Sequence, residues 1–164
     1  MSGTVVQYSL LAGLAIALLF AAVTDLRHRT IANWLNAAIA LAAPAFWWAT
    51  GLALWPDVAM QVGVALAAFA ILAALFAIGA MGGGDVKLLT ALALWVPPLL
   101  FVKLLVIMAL LGGVLTVVMG SWHIIRHRRE RLAIPYGLAI ACASLWVLGT
   151  HYLPGAGAAT GISG

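Results

Sequence analysis

Two of the four acidic residues stand at junctions between apolar segments and polar turns. Asp25 ends a long apolar run, and Asp85 follows the run Gly82-Gly83-Gly84. Two carboxyl groups that share a site cannot both ionise readily, so such a pair tends to hold one proton. The ionised partner can take a proton from water while the protonated partner polarises a carbonyl group. If the fold brings Asp25 and Asp85 together, the pair therefore predicts peptide hydrolysis.

Each of these features also has an ordinary structural explanation. Asp25 alone fits an interfacial residue balanced by Arg27 and Arg29. Asp85 alone fits a helix N-cap ahead of Val86. The three glycines before it either form a flexible segment with positive φ, against which a substrate strand could pair, or serve close helix packing or a plain turn. The prediction depends on the combination of these features.

The elements that position the aspartates are predicted from the composition. Of 164 residues, 66% are apolar and only 7% are charged, which indicates a protein surrounded by lipid with no separate soluble domain. The net charge of +4 comes from basic residues at the ends of apolar runs, which is typical of topology signals and does not predict nucleic-acid binding. The single cysteine, Cys142, excludes an internal disulfide. His123 and His127 lack a third ligand, so no metal site is predicted.

The pattern predicts an all-α polytopic membrane protein with six transmembrane helices. The apolar runs cover residues 5–24, 34–57, 58–80, 86–96, 99–120 and 133–153. The fourth run is short, reaching only about 16 Å at 1.5 Å per residue, so it must be sheltered by its neighbours and indicates a functional cavity. No basic residue or cleavage site marks the first run as a signal peptide, so it is predicted to be retained. Residues 1–153 then form one transmembrane domain, and residues 154–164 form a disordered tail rich in Gly and Ala.

The basic residues predict that the N-terminus lies outside. In that orientation seven of the eight Lys and Arg residues are cytoplasmic, and Lys103 is the exception. Asp25 and Asp85 then share the cytoplasmic face. Lys87 is either a topology charge or a group that shifts the pKa of Asp85. The segment Pro135-Tyr136-Gly137 opens the last helix at the same face, either as a helix start with an aromatic anchor or as a third wall of the cavity.

Three motifs, in this order along the chain, resemble those of a known family. Gly82-Gly83-Gly84-Asp85 fits the GxGD signature of membrane-boundary aspartic proteases, and residues 25–33 resemble the other aspartate motif of type IV prepilin peptidases. Ala32 stands where that family usually has proline. Residues 134–137 resemble the family's motif at the start of a late helix. The order, spacing and length resemble the compact prepilin peptidases of tight-adherence (Flp-type) pilus systems.

The resemblance implies that Asp25 and Asp85 are the catalytic pair. The residues that it places in the site loops or at the substrate are Gly82, Gly83, Gly84, Lys87, Asn33, Pro135, Tyr136 and Gly137. The implied reaction is cleavage of the short basic leader of prepilin or pseudopilin substrates, after a small residue that precedes an apolar helix, at the cytoplasmic face of the bacterial inner membrane. No cofactor is implied, and zinc is not expected because the cysteine-bearing insert of longer relatives is absent.

An alternative from a different class is a non-enzymatic transporter in which Asp25 and Asp85 relay protons or cations. Intramembrane acids beside a broken helix are common in such proteins. Both acids are predicted at one edge of the membrane, however, and Lys103 is the only other candidate within a span. A structural subunit of a secretion machine, with no chemistry, is a third interpretation.

Overall fold

The structure, a computed structural model, describes residues 2–125 and 136–153, and over these ranges it contains helices and turns but no strand. Six helices follow in the predicted order: α1 (Ser2–His28), α2 (Asn33–Thr50), α3 (Ala59–Ala77), α4 (Gly83–Ala93), α5 (Pro98–Ile125) and α6 (Tyr136–Tyr152). The all-α prediction is confirmed. Three predicted features lie outside the described residues, namely the basic stretch 126–131, Pro135 and the tail 154–164.

Three stretches are long and apolar enough to cross a membrane by length and composition, namely Gly3–His28, Leu54–Ala77 and Pro98–Trp122. The protein is thus a membrane protein. At 1.5 Å per residue, α2 reaches about 27 Å and α6 about 25 Å, close to the roughly 30 Å of a hydrocarbon core. The 11 residues of α4 reach only about 16 Å, so α4 cannot cross by itself.

Helix ends follow local chemistry. α2 stops at Gly51, which adopts the left-handed conformation with φ 73° and donates its N–H to the end of the helix. After α3 the chain turns at Gly79, with φ 75°. α5 starts at Pro98, at a position where a missing N–H costs nothing and the fixed φ suits a helix. Glycine after a helix and proline at the start of one therefore set the connections on both sides of α4.

The short helix α4 lies at the centre of the bundle. It packs against α2, α3 and α6 and touches α5, while α1 packs against α2 and α6 on the other side. Leu88, Leu89 and Leu92 are completely buried. Because neighbouring helices cover most of α4, this helix does not need the polar face that a surface helix presents to water. The predicted sheltering of this element is confirmed.

The far end of α4 is closed by side chains from its neighbours. The Gln61 amide of α3 donates to the Ala93 oxygen at 3.2 Å and to the Val96 oxygen at 2.7 Å. The Trp47 indole of α2 donates to the Leu94 oxygen at 2.7 Å. The last carbonyls of a helix have no intrahelical partner, and within a membrane they cannot be left to water. Gln61 and Trp47 therefore allow α4 to end at membrane depth.

Candidate active site

The last turn of α1 carries Asp25 and ends in an unusual backbone conformation. Arg29 has φ 55°, in the left-handed region that few residues other than glycine adopt. The Arg29 N–H donates to the backbone carbonyl oxygen of Asp25 at 2.8 Å, and this bond closes the end of the helix as an αL cap. The chain therefore leaves the helix one turn after Asp25, and the residues that follow connect α1 to the start of α2.

The first turn of α4 carries Asp85. The N-cap position belongs to Gly82, with φ −74° and ψ 142°, and Asp85 is the third residue of the helix. The interpretation of Asp85 as an N-cap is therefore wrong. A Cβ atom at Gly82 would lie 2.8 Å from Asp85 Oδ2, too close for any real contact. Glycine at this position leaves room for the Asp85 carboxyl to fold back over the start of its own helix, and any larger residue would force that carboxyl to shift.

Gly83 and Gly84 serve close packing. A Cβ at Gly83 would lie 3.2 Å from the Phe76 ring, and one at Gly84 would lie 3.3 Å from Ile31 Cβ. Neither they nor Gly82 has positive φ, so that part of the prediction is wrong. Because Gly83 and Gly84 are helical, they do not form an extended edge for a substrate strand. Of the alternatives, helix packing is the one the structure supports, and it lets the segment after α1 lie against α4.

The start of α6 contacts Asp25 directly. The Gly137 N–H donates to Asp25 Oδ2 at 2.8 Å, and a Cβ at Gly137 would lie 2.9 Å or less from three atoms of Asp25. Tyr136 points elsewhere, with its ring over Gly112 and its hydroxyl 3.4 Å from the Thr116 hydroxyl of α5. Gly137 thus holds the Asp25 carboxyl in place without lining the cavity itself, so it is not the third wall that one alternative predicted, and Tyr136 fixes α6 against α5.

The end of α1, the connection to the start of α2, and the start of α4 surround a cavity of about 280 Å³, here called the aspartate cavity. Asp25 and Asp85 both line it and are 7% and 8% exposed. The cavity is lined by Asp25, Arg29, Thr30, Ile31, Asn33, Gly82, Gly83, Gly84 and Asp85. The sequence interpretation missed Thr30 and Ile31 as lining residues and took Arg29 for a topology charge. All three lie within the motif of residues 25–33, which was the available signal for them.

Asp85 lies outside the three membrane-crossing stretches, in the first turn of α4. Burial raises the pKa of Asp85 from its ordinary value of 3.8 to about 6, and the negative charge of Asp25 adds to this, while the Gly82 backbone N–H lowers it. The Asp25 contribution means that the two carboxyls interact electrostatically.

Lys87 reaches the rim of the aspartate cavity and not its acids. Its Nζ donates to Asn33 Oδ1 at 2.7 Å, on the exposed side of α4. Asn33 itself lines the cavity at the start of α2. The bond therefore ties the beginnings of α2 and α4 together beside Asp85. Within residues 2–125 and 136–153, no group of three or more His, Cys, Asp or Glu side chains is positioned to hold a metal ion.

The fold and the cavity define a class, namely helical membrane proteins that hold two buried, interacting carboxyl groups where three helix ends meet. The chain belongs to the type IV leader peptidase family, whose model matches residues 12–119. The match includes Asp25, Asn33 and Asp85 but ends before Gly137. The protein is thus a protease of the prepilin peptidase type, and its family acts on prepilin-type substrates. No curated protein and no solved structure matches the chain.

Proposed function

We propose that the protein is an aspartic endopeptidase that uses Asp25 and Asp85 to remove the leader peptide of prepilin-like substrates. The observation that carries the proposal is the aspartate cavity, where two buried carboxyls interact in a chain of the leader peptidase family. Buried acids are costly in a membrane protein, which favours a functional role for both. The order and spacing of the three motifs favour the compact tight-adherence type of pilus system as the source of substrate.

The proposed chemistry assigns a different role to each acid. Asp85, whose pKa is raised to about 6, holds the shared proton and transfers it to the scissile carbonyl oxygen as water attacks. Asp25 is the ionised partner, held in position by the Gly137 N–H, and it takes a proton from the attacking water. The resulting tetrahedral diol collapses when Asp25 returns its proton to the leaving amine. Asp85 recovers its proton from the diol, which restores the starting state.

We place the aspartate cavity at the cytoplasmic face of a bacterial inner membrane. The arrangement that supports this has the end of α1 and the starts of α2 and α4 around the cavity, with the start of α6 against Asp25 on the same side of the bundle. Arg27, Arg29 and Lys87 belong to these helix ends, so the positive-inside rule assigns that side to the cytoplasm and puts the N-terminus outside. Six helices then alternate across the membrane, with α4 sheltered. Basic leaders would approach the acids from the cytoplasm.

Replacement of each acid by its amide tests the proposal. Asp25→Asn and Asp85→Asn are compared with Asp57→Asn, the same change at an outer turn where Asp57 accepts the exposed Ala53 N–H. Each is co-expressed with a precursor that has a basic leader ending in glycine before an apolar helix. Cleavage is followed by gel shift, and membrane insertion is checked.

We expect the wild type and Asp57→Asn to cleave the precursor, and neither cavity variant to do so. Cleavage by both cavity variants would show that the pair is not catalytic. A relay protein that transports ions would give no cleavage with any of the chains, including the wild type. The three patterns of bands are therefore distinct.

A further inference from the structure

A second concavity begins beside the aspartate cavity and runs along two helices. It has a volume of about 360 Å³ and is here called the α2–α4 groove. The lining residues recur at helical spacing on one stripe of each helix, with one ring from α3: Asn33, Asn36, Ala37, Ala40, Lys87, Thr90, Ala91, Leu94 and Phe69. α4 forms the floor, since α2 and α3 both pack against it.

The groove is continuous with the aspartate cavity because Asn33 lines both. α2 and α4 both begin at this end, so the groove leads from the acids toward the membrane interior. Its polar residues lie near the cavity, and Ala40 and Leu94 lie farther along. From Asn33 to Ala40 the groove follows about 10 Å of helix, or roughly two turns. Alanines on its walls let a neighbouring helix approach closely.

Asn36 is the feature of the groove that the fold does not explain. The residue is 5% exposed, and neither Oδ1 nor Nδ2 of its amide has a hydrogen-bond partner. The other polar groups are occupied, with the Asn33 oxygen bound by Lys87 and the Thr90 hydroxyl bound to a backbone oxygen of its own helix. A buried amide without a partner is destabilising, so its presence indicates a partner that binds later.

We propose that the α2–α4 groove binds the first turns of the substrate's apolar helix and that Asn36 hydrogen-bonds the substrate backbone there. The inference rests on the proposed function, in which the cleaved bond precedes an apolar helix. Such a helix begins with N–H groups that have no intrahelical partner and that lipid cannot satisfy. Asn36 supplies a carbonyl acceptor and an amide donor at this level. Binding requires its side chain to turn toward the groove, a rotamer change common at interfaces.

Cross-linking tests the location without needing catalysis. Ala37 and Ala45 are both exposed on α2, but only Ala37 lines the groove. Each is changed to cysteine in a chain that also carries Cys142→Ser, which removes the only native cysteine, and Asp85→Asn. The probe is the precursor described above with one cysteine in the first turn of its apolar helix. With a bismaleimide we expect an adduct through Ala37→Cys and none through Ala45→Cys. Equal adducts, or none at Ala37→Cys, would overturn the proposal.

Asn36→Leu tests the hydrogen bond in the active protein. Leucine has a similar volume and leaves no unpaired amide, so a purely structural role predicts equal or higher thermal stability with unchanged cleavage. The proposal predicts undiminished stability with kcat/KM about tenfold lower, the effect of one lost hydrogen bond. Unchanged kcat/KM would refute the role of Asn36. Wild-type cleavage is measured in parallel, so failure of the proposed protease activity is visible separately from failure of the groove.

Discussion

Gly137→Ala is the sharpest perturbation of the aspartate cavity, because it tests a contact outside the stretch that matches the family. The added methyl would lie 2.8 Å from Asp25 Oδ2 and 2.9 Å from both Cβ and Cγ of the same residue. Since the clash includes Cβ, rotation of the Asp25 side chain cannot relieve it. The start of α6 and the end of α1 must therefore separate, which breaks the 2.8 Å hydrogen bond from the Gly137 N–H.

The expected loss of activity follows from the strength of the hydrogen bond between the Gly137 N–H and Asp25. A hydrogen bond to a charged group contributes about 1.5–3 kcal/mol, which corresponds to roughly 10- to 150-fold in a rate or equilibrium constant. If Asp25 is the ionised partner that activates water, its displacement should lower kcat/KM by at least about tenfold. Overall stability should change less, because alanine favours a helix over glycine by up to about 1 kcal/mol and offsets part of the strain.

Initial rates of precursor cleavage by purified protein measure this effect, with thermal midpoints recorded for each variant. Gly113→Ala is the matched control, since it makes the same change within α5 where no atom lies within 4 Å of the added methyl. It should cleave as the wild type does. Cleavage by Gly137→Ala at the wild-type rate would refute the conclusion that α6 positions Asp25. Equal losses in both variants would point to a general effect on the bundle.

Three further predictions concern protons and the end of α4. Asp85→Asn should raise the thermal midpoint at about pH 8 and barely change it at about pH 3. The pKa of Asp85 is raised from 3.8 to about 6 in the folded protein, so the wild type loses stability as the pH rises from the lower value to the higher one, and equal shifts of the midpoint at both pH values would contradict this. Wild-type kcat/KM should fall as the pH rises through about 6, where the pair loses its shared proton; an increase there would exclude Asp85 as the proton donor. Gln61→Leu should destabilise the protein by about 2–4 kcal/mol, because the Ala93 and Val96 carbonyls lose their partner, whereas Gln7→Leu in α1 should cost under about 1 kcal/mol in the same thermal unfolding assay.

Much of the site could be predicted from the sequence because acids are so scarce in it. A chain this apolar has few acids, and the predicted positions of Asp25 and Asp85 at helix junctions on one face set them apart from Asp57 and Glu130. The short fourth run followed from helix geometry, since rise per residue is constant. Helix boundaries were less accurate. α1 continues to His28, beyond its predicted end, because polar residues extend a helix as readily as apolar ones once it leaves the lipid.

Other features depended on contacts between residues far apart in the chain. The role of Gly137 comes from a contact with Asp25, and the positive φ of Arg29 comes from the way α1 ends. Nothing in the sequence singles out Asn36, whose burial and lack of a hydrogen-bond partner are seen only in the folded protein. None of these leaves a periodic or compositional pattern, so no inspection of neighbouring residues could find them.

The sequence by itself determined that lipid surrounds the protein, that the fold is helical, and that Asp25 and Asp85 are the candidate acids. Hydropathy and charge carry this information because they are properties of residue types and act locally. Only the tertiary structure decided that the acids share one cavity, that the glycines pack instead of flexing, and that Gln61 and Trp47 close the end of α4. The physical reason is that burial, close contact and hydrogen bonding between helices exist only once the bundle has packed. Conformational freedom at a glycine is likewise settled by its neighbours in space.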